Sequence, residues 1–188
     1  MNQITPDMVL YAYSTGVFPM ANNDEGGIIY WIEPEFRGII PLDEFKVSKS
    51  LKQTIKSGKY YATINKDFEA VIRACGNRDE TWISEEIISV YCELQKMGHG
   101  FSFEVWNTKH KLVGGLYGVA MGKAFFGESM FSTQTDASKV ALYCLVEWMK
   151  ENSFTLLDTQ YISDHLRSLG GIEITREAYN KLLAEALA

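Results

Sequence analysis

Apolar and polar positions along the chain change period several times, and each change marks an element. Thr5 followed by Pro6 is a helix start, with proline at the first helical position and Gly16 as the stop. Tyr30 with Trp31, and residues 37–41, read as short strands. Ser48 caps a lysine-rich helix that Gly58 ends, and YYATIN at 60–65 alternates as a strand. Asp67 caps a helix that turns Phe68, Val71, Ile72 and Cys75 inward. Ser84 caps another, with Ile87, Ile88, Tyr91 and Leu94 on one face and Glu85 and Glu86 at the favourable end of its dipole.

Three runs of period two follow, FSFEVW, KLVGGLYGVA and AFFGESMF, joined by short turns at 107–110 and 121–123. They predict an antiparallel meander. A helix capped by Thr135 or Asp136 comes next, with Val140, Ala141, Leu145, Trp148 and Met149 available for burial. LLDTQ at 156–160 reads as a strand, SDHLRSLG as a short helix, IEI as a strand and REAYNKLLAEAL as a final helix. The order predicts an α+β class, with helices packed on a mostly antiparallel sheet. The nearest thing to a boundary is the lysine-rich segment around 46–60.

The meander contains an anomaly. In GGLYGVAMGKAFFGESMFS (114–132) small and aromatic residues alternate about a turn at Gly122, and then Glu128 intrudes. An unpaired carboxylate costs several kcal/mol to bury. A core has no need of one; a functional site does.

Composition adds bounds. The chain has 188 residues, 46% hydrophobic, 22% charged and 13% aromatic, enough for a real core and rich in rings that line pockets. No apolar run approaches the ~20 residues of a membrane span, and the N-terminal stretch lacks the pattern of a signal peptide. Cys75, Cys92 and Cys144 lie far apart, which reads as reduced thiols in a cytoplasmic protein, with no disulfide framework and no metal site. The net charge of −6 argues against indiscriminate nucleic-acid binding. Residues 45–66 nevertheless hold six lysines and no acid; that +6 leaves −12 for the remainder. Lys49, Lys52, Lys56 and Lys59 recur every three or four positions, as a stripe on one helical face. Such a stripe is either a solvated face or a local phosphate-binding patch.

The motifs GVFPM (16–20), YWIEPEFRGIIPL (30–42), VSKSL (47–51), TWI (81–83), FSFEVW (101–106), LVGGLYGVAMGKAFFGESMFS (112–132), DASKVAL (136–142), LDTQ (157–160), HLRSLGG (165–171) and EITR (173–176) closely resemble the leucyl/phenylalanyl-tRNA–protein transferases. The likeness covers nearly the whole chain in the family's order. It implies transfer of Leu or Phe, and less readily Met, from aminoacyl-tRNA to an N-terminal Arg or Lys, which marks the acceptor protein for degradation. It implies a small N-terminal domain, placed at 1–60, followed at 61–188 by one similar to the N-acetyltransferase (GNAT) fold. It implies no metal or organic cofactor, since the tRNA ester is already activated, and a monomer.

Residues are expected to divide the work as follows. Leu116, Gly118, Phe125, Ala141, Leu145 and Leu157 form an apolar pocket for the donor side chain. Glu128 holds or orients an amine. Asp158 and Gln160 lie two apart on a strand and so on one face. The residues alone equally allow Asp158 to cap the helix that begins near Ser163, while the resemblance implies that both assist removal of a proton from the attacking α-amino group. Asp158 acts there as acceptor or orienting charge and Gln160 by positioning, because an amide is a poor base. The resemblance places Trp31 and Trp82 at the tRNA 3′-adenosine, and Lys46, Lys49, Lys52, Lys56 and Lys59 at the phosphates of the acceptor stem. This chain departs from the family pattern at Phe101, where a histidine is usual. His99, His110 and His165 read as structural or surface residues, His165 being close in sequence to Asp158 and Gln160.

Two other readings compete. An acetyl-CoA-dependent enzyme of the same fold needs a glycine-rich pyrophosphate loop, and the strand-to-helix connection STQTDASK has no glycine. A non-catalytic module that binds tRNA ends or protein N-termini has no reason to keep Glu128 together with Asp158.

Overall fold

The structure, a computed structural model, describes residues 4–22, 28–79 and 81–188. Helix α1 (Pro6–Ser14) starts where the sequence places it: the Thr5 hydroxyl accepts from the Met8 amide at 3.3 Å. Strands β1 (Phe18–Asn22) and β2 (Ile28–Ile32) pair antiparallel as a separate ribbon. Then come β3 (Phe36–Ile39), α2 (Lys49–Lys56), β4 (Tyr60–Ile64), α3 (Phe68–Gly76) and α4 (Glu85–Lys96). Ser48, Asp67 and Ser84 cap these three helices through their side chains. The meander is β5 (Gly100–Asn107), β6 (Leu112–Met121) and β7 (Ala124–Ser132). The chain ends with α5 (Ala137–Glu151), β8 (Leu156–Gln160), α6 (Asp164–Ser168), β9 (Ile172–Thr175) and α7 (Arg176–Leu187).

Seven strands form one sheet in the order β4-β5-β6-β7-β8-β3-β9. Every neighbouring pair in it is antiparallel except β7 with β8. Both faces are covered. On one, Tyr117, Val119 and Phe126 pack with Val9, Tyr13, Ile87 and Tyr91; on the other, Leu116, Ala120 and Phe125 pack with Leu145, Val146 and Met149. Alternation of period two on β6 and β7 thus feeds two cores rather than a core and a wet face.

The expected first unit, 1–60, includes α1 and the β1–β2 ribbon, but also β3, which lies inside the large sheet between β8 and β9. Its apolar residues Val9, Tyr13 and Phe18 share a cluster with the sheet.

Two irregularities shape the middle of the sheet. Along β6–β7, Tyr117 pairs with Ser129 and Gly118 with Gly127, so Glu128 is the extra residue of a β-bulge. A Cβ on Gly118 would stand 2.3 Å from the Phe126 carbonyl oxygen and 2.5 Å from the Phe125 ring. Only glycine admits that close approach. The second is the parallel seam of β7 and β8, which runs from Ala124 with Leu156 to Phe126 with Asp158. Beyond it β7 continues to Ser132 against β6, while β8 turns toward β3. The strands part, and a cleft opens between them.

Candidate active site

The cleft encloses about 260 Å³. Its apolar wall comes from Leu116, Met130, Leu142, Leu145, Leu157 and Leu166, and its polar groups from Arg78, Tyr117, Glu128, Ser129, Thr159, Ser163 and His165. Of the six residues expected to line a pocket, Leu116, Leu145 and Leu157 do so. Gly118, Phe125 and Ala141 do not: Gly118 serves the bulge, and the other two are fully buried in the core behind the wall. Met130, Leu142 and Leu166, which complete the wall, carried no sequence signal apart from their apolarity.

Glu128 lies partly buried at this cleft. The bulge turns it toward α1 and α4. Tyr13 donates to Oε1, Tyr91 donates to Oε2 at 3.2 Å, and Gln160 Nε2 donates to both oxygens at 3.3 Å. The two tyrosine hydroxyls are themselves 2.8 Å apart. Burial pushes the Glu128 carboxyl up to about 7, against the opposing pull of these three donors. None of the three carries a charge. Burial, and then the charge of Glu128, keeps Tyr13 and Tyr91 well above the ordinary phenol value, so both remain donors.

Asp158 is wholly buried and fully engaged. Arg37 clamps it through Nε (2.9 Å to Oδ1) and Nη2 (2.6 Å to Oδ2), the Tyr179 hydroxyl donates to Oδ2 at 2.7 Å, and the Gln160 amide donates to Oδ1 at 2.7 Å. The Arg37 guanidinium lies between the rings of Phe18 and Tyr179, 4.6 Å from each centroid, and its Nη1 donates to the Gly16 carbonyl at 2.8 Å. Sequence reading gave Asp158 no partner. The signal was present as an unusual arginine in the apolar strand FRGI, but not its destination.

Gln160 joins the two carboxylates. Its φ of 62° is left-handed, a conformation that non-glycine residues seldom adopt. Its main chain binds Asp158 while its side chain binds Glu128. His165, expected to be structural or surface, instead lines the cleft, as do Tyr117 and Thr159.

The remaining expected residues lie outside this cleft. Trp31, 39% exposed, lines a separate hollow of about 250 Å³ with Met8, Tyr11, Ala12, Thr15 and Val17. Trp82 is half-buried and packs against the first core. Lys46, Lys49, Lys52, Lys56 and Lys59 are all exposed, and none forms an ion pair among the described residues. Helix α2 docks through Leu51 and Ile55 onto the second core, which leaves the lysines outward. No helix among the described residues is long and apolar enough to cross a membrane.

Residues 39–184 match the family model of the leucyl/phenylalanyl-tRNA protein transferases, and residues 2–35 match that of the family's N-terminal domain. The leucyl/phenylalanyl-tRNA–protein transferase of Paramagnetospirillum magneticum is 52% identical over 100% of this chain and 91% of its own length. The one from Cereibacter sphaeroides is 50% identical over 98% and 86%. Among solved structures, FemX is similar with a TM-score of 0.53 at 12% identity, covering 80% of this chain and 64% of FemX. The GCN5-related glucosamine N-acetyltransferase region of a fungal multi-domain β-N-acetylglucosaminidase also gives 0.53, at 9% identity, covering 88% of this chain and 21% of that one. The sheet and its helices therefore have the GNAT-like fold.

Proposed function

The chain belongs to the leucyl/phenylalanyl-tRNA protein transferase family, aminoacyltransferases that move an amino acid from tRNA to a protein N-terminus, and from that premise we propose that the β7–β8 cleft is where the transfer occurs. The donor is Leu or Phe, less readily Met; the acceptor is an N-terminal Arg or Lys, and the product is marked for degradation. One observation carries the assignment. Glu128 is a partly buried carboxylate with only neutral hydrogen-bond partners, beside an apolar cavity. No cation among the described residues pairs with it, and an amino group, which donates to a carboxylate whether charged or neutral, fits there.

In this reading the donor side chain enters against Leu116, Leu145 and Leu157, with Met130, Leu142 and Leu166 closing the wall. Glu128 orients the attacking α-amino group. The nitrogen bonds to the ester carbonyl carbon, the bond to the ribose oxygen breaks, that oxygen takes up a proton, and the amine's surplus proton leaves. A free α-amino group titrates near 7.7–8.0, so much of it is already neutral and alignment supplies most of the rate. Gln160 positions Glu128, and Asp158 positions Gln160; with its oxygens filled, Asp158 acts as an orienting charge rather than as a proton acceptor. Trp31 and Trp82 serve the 3′-adenosine by stacking. The five lysines serve acceptor-stem phosphates, and the exposed, unpaired state of their charges supports this role. Residues 1–60 then act as the tRNA-facing part and 61–188 as the transfer part of a cytoplasmic monomer.

A transfer assay tests the reading. Protein is mixed with Leu-, Phe- or Met-charged tRNA and peptides that start with Arg, Lys, Asp or Ala, and mass spectrometry follows the products. One added Leu or Phe on the Arg and Lys peptides alone is expected. Binding of charged tRNA with no addition to any peptide refutes it.

A further inference from the structure

Among the described residues, three buried side-chain polar atoms have no hydrogen-bond partner: Tyr117 Oη, Thr159 Oγ1 and His165 Nε2. All three residues line the β7–β8 cleft. A buried polar atom left unsatisfied costs on the order of 1–3 kcal/mol. Three at one address mark a surface built to meet polar groups of a bound molecule.

The transfer brings two amines into one cleft. One is the attacking group of the acceptor, assigned above to Glu128. The other is the free α-amino group that the donor amino acid still carries, on the carbon between its ester and its side chain. That carbon must lie where the apolar wall meets the polar groups. Two elements supply both kinds of surface there: β8 gives Leu157 and Thr159, and α6 gives His165 and Leu166. An amine needs acceptors. The unprotonated nitrogen of a neutral imidazole accepts.

We propose that His165 holds the free α-amino group of the donor and so makes the cleft select aminoacyl esters over plain acyl esters. The inference rests on the transferase reading. Burial, and after it the charge of Lys139, pushes His165 below the ordinary histidine value. The ring is then neutral at pH 7 and its free lone pair can face the amine.

The test compares two donors on an Arg-initial peptide: phenylalanyl-tRNA, and 3-phenylpropionyl-tRNA, which keeps ester and ring but lacks the amine. Wild type is expected to prefer the aminoacyl donor in kcat/KM by about 10- to 100-fold. His165→Ala should lose most of that preference, through the natural donor, and His165→Asn, which retains an acceptor oxygen, should recover part of it. Equal use of the two donors by wild type overturns the proposal without any variant, and leaves the transferase reading standing. Equal loss on both donors in His165→Ala marks a structural residue and also overturns it. Absence of phenylalanyl transfer by wild type removes the transferase reading and the inference with it.

Discussion

The two ends of the β7–β8 seam treat charge differently. At the paired end, Asp158 meets a guanidinium, a phenol and a main-chain amide, and is dry. At the parted end, Glu128 meets two phenols and an amide side chain, and Tyr117, Thr159 and His165 each keep a polar atom idle. Both carboxylates are costly to bury. One cost is answered inside the protein, and the other is left for a ligand. Full compensation identifies a girder, whereas incomplete compensation identifies a site.

The largest effect should come from breaking the girder. Asp158→Asn leaves Arg37 buried without a counter-charge and should destabilise the fold by about 3–5 kcal/mol, read as a lower urea midpoint. The double change Arg37→Met with Asp158→Asn should cost less than the single one. A single variant as stable as wild type would abolish the contrast between the two ends.

Glu128→Gln should have the opposite profile. Transfer should fall by about a hundredfold or more, since a charge that holds an amine is lost, while stability is kept. The sign follows from linkage. A carboxyl at about 7 in the folded chain, against about 4.3 unfolded, binds its proton more tightly when folded. The contribution of this group to stability is therefore greatest below the lower value and declines as pH rises toward 7. Removing the carboxylate should thus raise stability at pH 8, measured by thermal melting. It should also remove from the pH–rate profile the rising limb near 7, leaving that of the attacking amine.

A smaller effect should come from the wall. Leu145→Phe fills part of the cavity and should shift donor choice from Phe toward Leu by about tenfold, seen as the ratio of kcat/KM values. Least per residue is the lysine stripe. Each Lys→Ala change at 49, 52 or 56 should flatten the salt dependence of tRNA affinity by about one charge, measured by titration at several ionic strengths.

Local chemistry made much of this legible in sequence. Capping side chains at Thr5, Ser48, Asp67 and Ser84 announced four helices, and period two announced the meander. The turn at Gly122 was legible for the same reason: its φ is +54°, a conformation that favours glycine. What stayed hidden depends on partners far along the chain. β1 did not stand out, because FPMAN alternates weakly. The bulge at Glu128 is a relation between two strands, so the charge was visible and its cause was not. Arg37 joins Asp158 across 121 positions, and Tyr13 reaches Glu128 across 115. Gly118 looked like pocket space and proved to be room for a neighbouring main chain.

The insertion of β3 between β8 and β9 has a consequence in time. The sheet cannot close around residues 36–39 until residues 156–175 have been synthesised and have folded back. Closing so long a loop is entropically dear, and contacts of such separation form late. Arg37 then waits for its counter-ion, and the tyrosine of α1 for Glu128. The cleft between β7 and β8 therefore cannot assemble until β8 has emerged and paired with β3.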